Sequence, residues 1–310
     1  MVSREEVRWA YVMLLGREPE SEEAYRCHTE HENVMALRAS FLGCEEGLSR
    51  IRRDIRIAVE QLPFNYYRPI IIHLHIEKTG GTSLYECLAV HFDQTSITLP
   101  HTTHIQTYSL GELNQFDFVS GHLTLGEAMS LPRYPKIIIS LFREPYARLI
   151  SFYRFHRAHP YRMRHDPMVQ LAQDCDPVEF FTNAEVRSSH RLFNAYVRQL
   201  VGLPDEPTDW RPEVMACATR EAIDKLASLA VVGITENFTG ALAQVNSATG
   251  LAIEQLECRL HSTNTISQQE GFCRVPEVSL TSNLKEAIYP LIEFDLMVYE
   301  QAKNIAAARS

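Results

Sequence analysis

Ile70-Ile71-Ile72-His73-Leu74-His75-Ile76-Glu77-Lys78-Thr79-Gly80-Gly81-Thr82-Ser83 is the stretch on which the fold turns. Its first half is almost continuously apolar, as a parallel strand covered on both faces requires. Its second half is a loop with two glycines, and Leu84, Leu88 and Phe92 then recur on one helical face. Strand, loop and helix in this order place backbone N–H groups and the positive end of a helix dipole around an anion. The glycines allow close backbone approach, Thr82 and Ser83 add hydroxyl donors, and Lys78 adds a full charge.

Working outward, short apolar runs recur at Phe116 to Ser120, Ile137 to Phe142 and Leu229 to Ile234, each beside a helical stretch. Strands alternating with helices predict an α/β fold, a P-loop-like parallel sheet flanked by helices, with ligands beyond the carboxyl ends of the strands. Residues 65–310 form this domain. Residues 1–64 read as a small N-terminal helical lobe or extension, with Val7, Tyr11, Leu14 and Leu15, then Leu37, Phe41 and Leu42, then Ile51, Ile55 and Val59 at helical spacing. Leu284 to Ala307 also reads as helix, with Pro290 marking a break or a new start.

Bulk properties exclude several classes. With 310 residues, 45% of them hydrophobic, the chain can fill a large core, and 22% charged residues give no reason to expect disorder. A net charge of -9 argues against a nucleic-acid partner. Within this acidic chain, Arg143, Arg148, Arg154, Arg157, Arg162 and Arg164 are interrupted by one Glu and no Asp, a run able to hold an anion or to form a solvated face. The seven cysteines are scattered without ligand-like spacing and read as free thiols. No stretch is long enough for a membrane span, and Met1 to Glu6 lacks the basic start of a signal peptide, so the cytoplasm is the expected compartment.

The loop His75 to Ser83 lacks the Walker spacing, because its lysine precedes the glycine pair. It resembles the 5′-phosphosulfate loop of carbohydrate O-sulfotransferases, especially the glycosaminoglycan-modifying group, which use 3′-phosphoadenosine 5′-phosphosulfate (PAPS). The resemblance assigns Lys78, Thr79, Gly80, Gly81, Thr82 and Ser83 to the phosphosulfate, with Lys78 also stabilising charge on the leaving phosphate oxygen. A second strand-to-helix junction, Phe142-Arg143-Glu144-Pro145, is followed by Ser151 about 9 Å of helical rise beyond Pro145. This pair resembles the family's 3′-phosphate motif and assigns Arg143 and Ser151 to that phosphate.

Transfer of a sulfuryl group needs a base for the acceptor hydroxyl, and histidine titrates near the working pH. Related enzymes place a catalytic histidine in a stretch comparable to Phe118-Val119-Ser120-Gly121-His122-Leu123, which assigns the role to His122. His73, His75, His101, His104 and Glu77 compete for it, although His73 and His75 alternate on the strand with the period of packing residues. No metal is required by this chemistry, and the resemblance implies a hydroxyl-bearing glycan or glycoconjugate as acceptor. Asn194 to Gly202, Val232 to Phe238 and Phe294 to Tyr299 resemble segments that recur in the same order in that group. The stretch Tyr11 to Pro19, with Phe41-Leu42-Gly43, resembles a helical module of bacterial type found beside glycan-modifying enzymes. An ATP-dependent kinase and a catalytically silent nucleotide-binding module are the alternatives, the first requiring Mg²⁺ and carboxylates to hold it.

Overall fold

The computed structural model describes residues 2–44 except 16, residues 46 and 49, and residues 69–309 except 104, 161–164, 204–210 and 255–271. The chain divides into two compact units, Met1–Tyr66 and Tyr67–Ser310.

In the first unit the helix Arg4–Ala10 starts in a capping box between Ser3 and Glu6. It runs into a π-helical turn, Tyr11–Leu15, and is followed by helices Glu22–Thr29 and Val34–Gly43. Val2, Val7, Tyr11, Leu15, Leu37 and Phe41 close a small core of their own. The third apolar run, Ile51 to Val59, lies outside the described residues.

The second unit is built on four parallel strands, β1 (Ile70–Leu74), β2 (Phe118–Gly121), β3 (Lys136–Phe142) and β4 (Val231–Ile234). Their order is β2-β1-β3-β4, so the chain leaves β1 to one side for β2 and to the other for β3. The fold is therefore α/β with helices on both faces, and its switch point lies between the carboxyl ends of β1 and β3.

Every residue of β1 is buried. Ile70, Ile72 and Leu74 meet one core with Ile138, Phe142 and the helices Ala195–Val201, Pro212–Leu226 and Ser282–Ala308. Ile71, Ile139, Leu141 and Val231 meet the other, under helices Gly81–Ala89 and Phe238–Thr249. Each such aliphatic side chain contributes ~1.5–3 kcal/mol on full burial. A third cluster fills the space among helices Pro145–Ala158, Pro167–Asp174 and Pro177–Thr182 and the start of Ser282–Ala308.

Two expectations are corrected. Helix Ser282–Ala308 runs through Pro290 without a break. Pro290 lies on the exposed face while Ala287, Ile288, Leu291 and Ile292 are buried. The missing backbone bond thus falls on the water side, where solvent can meet the freed carbonyl, and packing holds the helix together. Cys27, Cys44, Cys175, Cys217 and Cys273 form no disulfide, but Cys87 is disulfide-bonded. Sequence spacing does not show which thiols meet in space.

Candidate active site

The loop leaving β1 has a fixed shape. Lys78 takes a left-handed backbone conformation (φ 67°), unusual for a residue with a Cβ, and Gly80 (φ 86°) caps helix Gly81–Ala89. No side chain caps that helix, so its first N–H groups face the loop mouth. The Thr79 hydroxyl donates inward to Ile76 O at 2.8 Å, and Thr79 is fully buried. Its hydroxyl therefore braces the loop, and the backbone of residues 79 to 83 with Thr82, half-buried, and Ser83, buried, forms the turn into helix Gly81–Ala89.

Gly81 meets a constraint that its loop position does not announce. A Cβ there would lie 2.1 to 2.9 Å from the His75 ring, so the imidazole packs directly on the glycine.

The loop after β1 and the exit of β3 meet at the switch point. Arg143, at the exit of β3, donates from Nη1 to Lys78 O at 3.2 Å. Its own backbone is clamped by Tyr196, whose hydroxyl accepts from Arg143 N at 3.1 Å and donates to Arg143 O. Thr235, just past β4, donates to Thr79 O and to Phe142 O, tying the β1 loop to the end of β3. Glu144 caps helix Pro145–Ala158 by accepting from Ala147 N, and Pro145 sits in its first turn.

That helix carries Ser151 on its buried face and, one turn on, Phe155, whose ring lies 3.8 Å from Lys78 Nζ. Burial lowers the Lys78 pKa to about 8; Glu77 opposes the shift and Arg143 adds to it. Desolvation likewise lowers Arg143, with Glu236 opposing and the Arg154 charge contributing. The Arg154 charge is thus felt at Arg143, and Arg154 Nε is buried without a hydrogen-bond partner. Two arginines whose charges are felt at one place suit a multiply charged anion.

The remaining arginines of the run divide. Arg148 is fully buried, donating to Arg191 O and Leu192 O. Arg157 donates to Ala172 O, Cys175 O and the Tyr153 hydroxyl. Both are structural, while Arg162 and Arg164 lie outside the described residues.

His122 follows β2 and donates from Nδ1 to His75 O at 2.7 Å. A carbonyl only accepts, so this bond fixes the tautomer and leaves a lone pair on Nε2. Glu77 Oε1 lies 3.9 Å from that nitrogen. Arg191 grips the Glu77 carboxylate, its Nε 3.0 and 3.1 Å from the two oxygens, and contacts His156 Nε2 at 3.2 Å. Burial pushes the Glu77 pKa up, but Arg191 and then His122 outweigh it, so the carboxyl stays below its usual range and ionised. An ionised, arginine-neutralised Glu77 is a poor proton acceptor and a good partner for an imidazolium at His122.

Among the competitors, His73 is buried against Ser120 Oγ at 2.9 Å, and desolvation lowers its pKa to about 3. His75 is buried and held well below its ordinary value by desolvation. His101 is exposed beside His122, and His104 lies outside the described residues.

Sequence reasoning left Arg191, Tyr196, Thr235 and Asp295 without roles. Asp295 is the fixed point of the segments Asn194 to Gly202 and Phe294 to Tyr299. Its Oδ1 accepts from Tyr196 N and Val197 N, while Asn194 Oδ1 accepts from Phe294 N and Asp295 N. This reciprocal cap positions Tyr196, and through it Arg143.

A family model described as Sulfotransferase family matches residues 68–270, about two thirds of the chain, from the approach to β1 to beyond β4. No curated protein matches the chain. Because that match covers more than half of the chain, the chain belongs to the sulfotransferase family.

Proposed function

We propose that the protein transfers the sulfuryl group of PAPS to a hydroxyl on a carbohydrate by in-line displacement. The observation that carries this reading is the contact between the motifs, with Arg143 Nη1 bonded to Lys78 O at the switch point. A single bound nucleotide can then address both. The N–H groups at the start of helix Gly81–Ala89, Thr82, Ser83 and Lys78 hold the phosphosulfate, and Arg143, Arg154 and Ser151 hold the 3′-phosphate. Arg154 joins the set on its charge, felt at Arg143, and its buried, unpartnered Nε.

His122 Nε2 accepts the acceptor's proton as the oxygen attacks sulfur, and Glu77 stabilises the imidazolium that results. Lys78 stabilises charge on the leaving phosphate oxygen. Most of the acceleration comes from positioning and fixed electrostatics. A glycan acceptor follows from the resemblance of the loop and the 3′-phosphate motif to the carbohydrate group. A metal-free transfer and a cytoplasmic location belong to the same reading; the Cys87 disulfide pulls toward an oxidising compartment.

Transfer of labelled sulfuryl from PAPS to a panel of sugars and glycans tests this directly. Wild type is expected to label at least one, with EDTA causing no loss. His122→Ala is expected to lower turnover by about 10²–10⁴-fold, the usual share of a general base, with nucleotide affinity nearly intact. Full turnover in that variant reassigns the base.

A further inference from the structure

Three imidazoles converge beside the proposed base. One nitrogen from each of His75, His101 and His122 lies within 4.8 Å of the others. His75 extends β1, His122 extends β2, and His101 comes from the loop that bridges to Gly121 through Thr102. Ring centroids are 4.8 Å apart for His75 and His122, 5.0 Å for His75 and His101, and 5.4 Å for His101 and His122.

Two of the rings are oriented by their far nitrogens. His75 Nδ1 donates to Pro100 O at 3.0 Å and His122 Nδ1 donates to His75 O at 2.7 Å. Each Nε2 therefore bears a lone pair, the arrangement that carbonyl partners impose on metal-ligating histidines. Glu77, 3.9 Å from His122 Nε2, brings negative charge to the same place.

We propose that His75, His101 and His122 form a binding site for a late first-row divalent cation of the Zn²⁺ class, and that its occupancy switches sulfuryl transfer off. Three neutral imidazoles without a thiolate suit Zn²⁺ and its neighbours, whereas Mg²⁺ and Ca²⁺ take oxygen ligands. Three protein ligands leave a fourth position for water. Nitrogens around a tetrahedral Zn²⁺ lie about 3.4 Å apart, given bonds near 2.1 Å, so the cluster must tighten. The exposed His101 supplies that movement by turning out of its stack on His122, while His75 and His122 stay anchored. A metal on Nε2 of His122 occupies the lone pair that would take the acceptor's proton. The inhibitory half thus rests on His122 being the base; the binding half does not.

The test uses the full-length protein and Zn²⁺ alone, by calorimetry, with Co²⁺ absorption reporting coordination. One equivalent is expected to bind, with tetrahedral Co²⁺ bands, and His101→Ala is expected to weaken binding at least tenfold. His91→Ala, which removes an exposed histidine elsewhere, is expected to change nothing. Absence of stoichiometric binding, or equal binding by His101→Ala, overturns the site. Zn²⁺ is then added to transfer assays at saturating donor: loss of activity in wild type, restored by a chelator and at least tenfold less sensitive in His101→Ala, supports the switch. Full activity of metal-saturated enzyme overturns the switch and removes the base role from His122, without bearing on nucleotide recognition.

Discussion

Lys78 carries the most unusual combination of features in the site: a left-handed backbone, an ammonium over the Phe155 ring, and a pKa lowered to about 8 by burial. Because the depressed value belongs to the charged form, the ammonium is present below about pH 8 and is lost as pH rises through it. Nucleotide affinity is accordingly expected to fall between pH 7 and 9 in wild type. Lys78→Arg, whose guanidinium stays charged, is expected to bind with little change over that range. A calorimetric titration at several pH values checks this, and parallel pH profiles would remove Lys78 from the nucleotide's surroundings. The lysine, the glycines and Arg143 were legible because their chemistry is local to a strand-loop-helix segment. Arg191 was not, since its partner Glu77 is 114 residues away and nothing in either neighbourhood announces the pair.

At the scale of elements, the junction of β1 with helix Gly81–Ala89 is fixed by a close approach. The His75 ring occupies the space of a Cβ on Gly81. Gly81→Ala is expected to destabilise the protein by about 1–3 kcal/mol, the usual cost of overpacking, and to displace His75 along with the His122 that leans on its carbonyl. Urea unfolding with a transfer assay checks both effects. The glycine's necessity was readable from the loop pattern, but its contact with His75 was not, because a ring six residues earlier in sequence gives no sign that it folds back. The strands were legible from apolar runs with ends displaced by a residue or two, as at Phe118–Gly121 and Val231–Ile234. Pro290 misled for the opposite reason: local propensity marks a break, and burial of the helix's other face overrides it.

Across the whole molecule, Asp295 links the long C-terminal helix to the carboxyl end of the sheet, through Tyr196 to Arg143. Burial raises its pKa to about 7, with Arg148 at 3.8 Å and the backbone N–H donors opposing. The folded state then holds a proton that the unfolded chain releases near pH 4, so this group's contribution to stability falls as pH rises from about 4 to 7. Asp295→Asn keeps an acceptor and does not titrate; its stability is expected to depend less steeply on pH over that interval. Thermal unfolding of both proteins across the range checks it, and identical slopes would mean that Asp295 stays ionised. No sequence pattern marks this residue, because a single aspartate in an amphipathic helix reads as surface until the fold shows it buried.

In the proposed reaction one nucleotide bridges the two motifs by its two phosphate groups. Calorimetric binding of 3′-phosphoadenosine 5′-phosphate against ADP, to wild type and Arg143→Ala side by side, is the decisive measurement. Wild type is expected to prefer the 3′-phosphorylated nucleotide clearly, and the variant is expected to lose that preference, by ~1.5–3 kcal/mol for a charge-assisted contact. Equal binding of the two nucleotides by wild type, or an unchanged preference in Arg143→Ala, would contradict it.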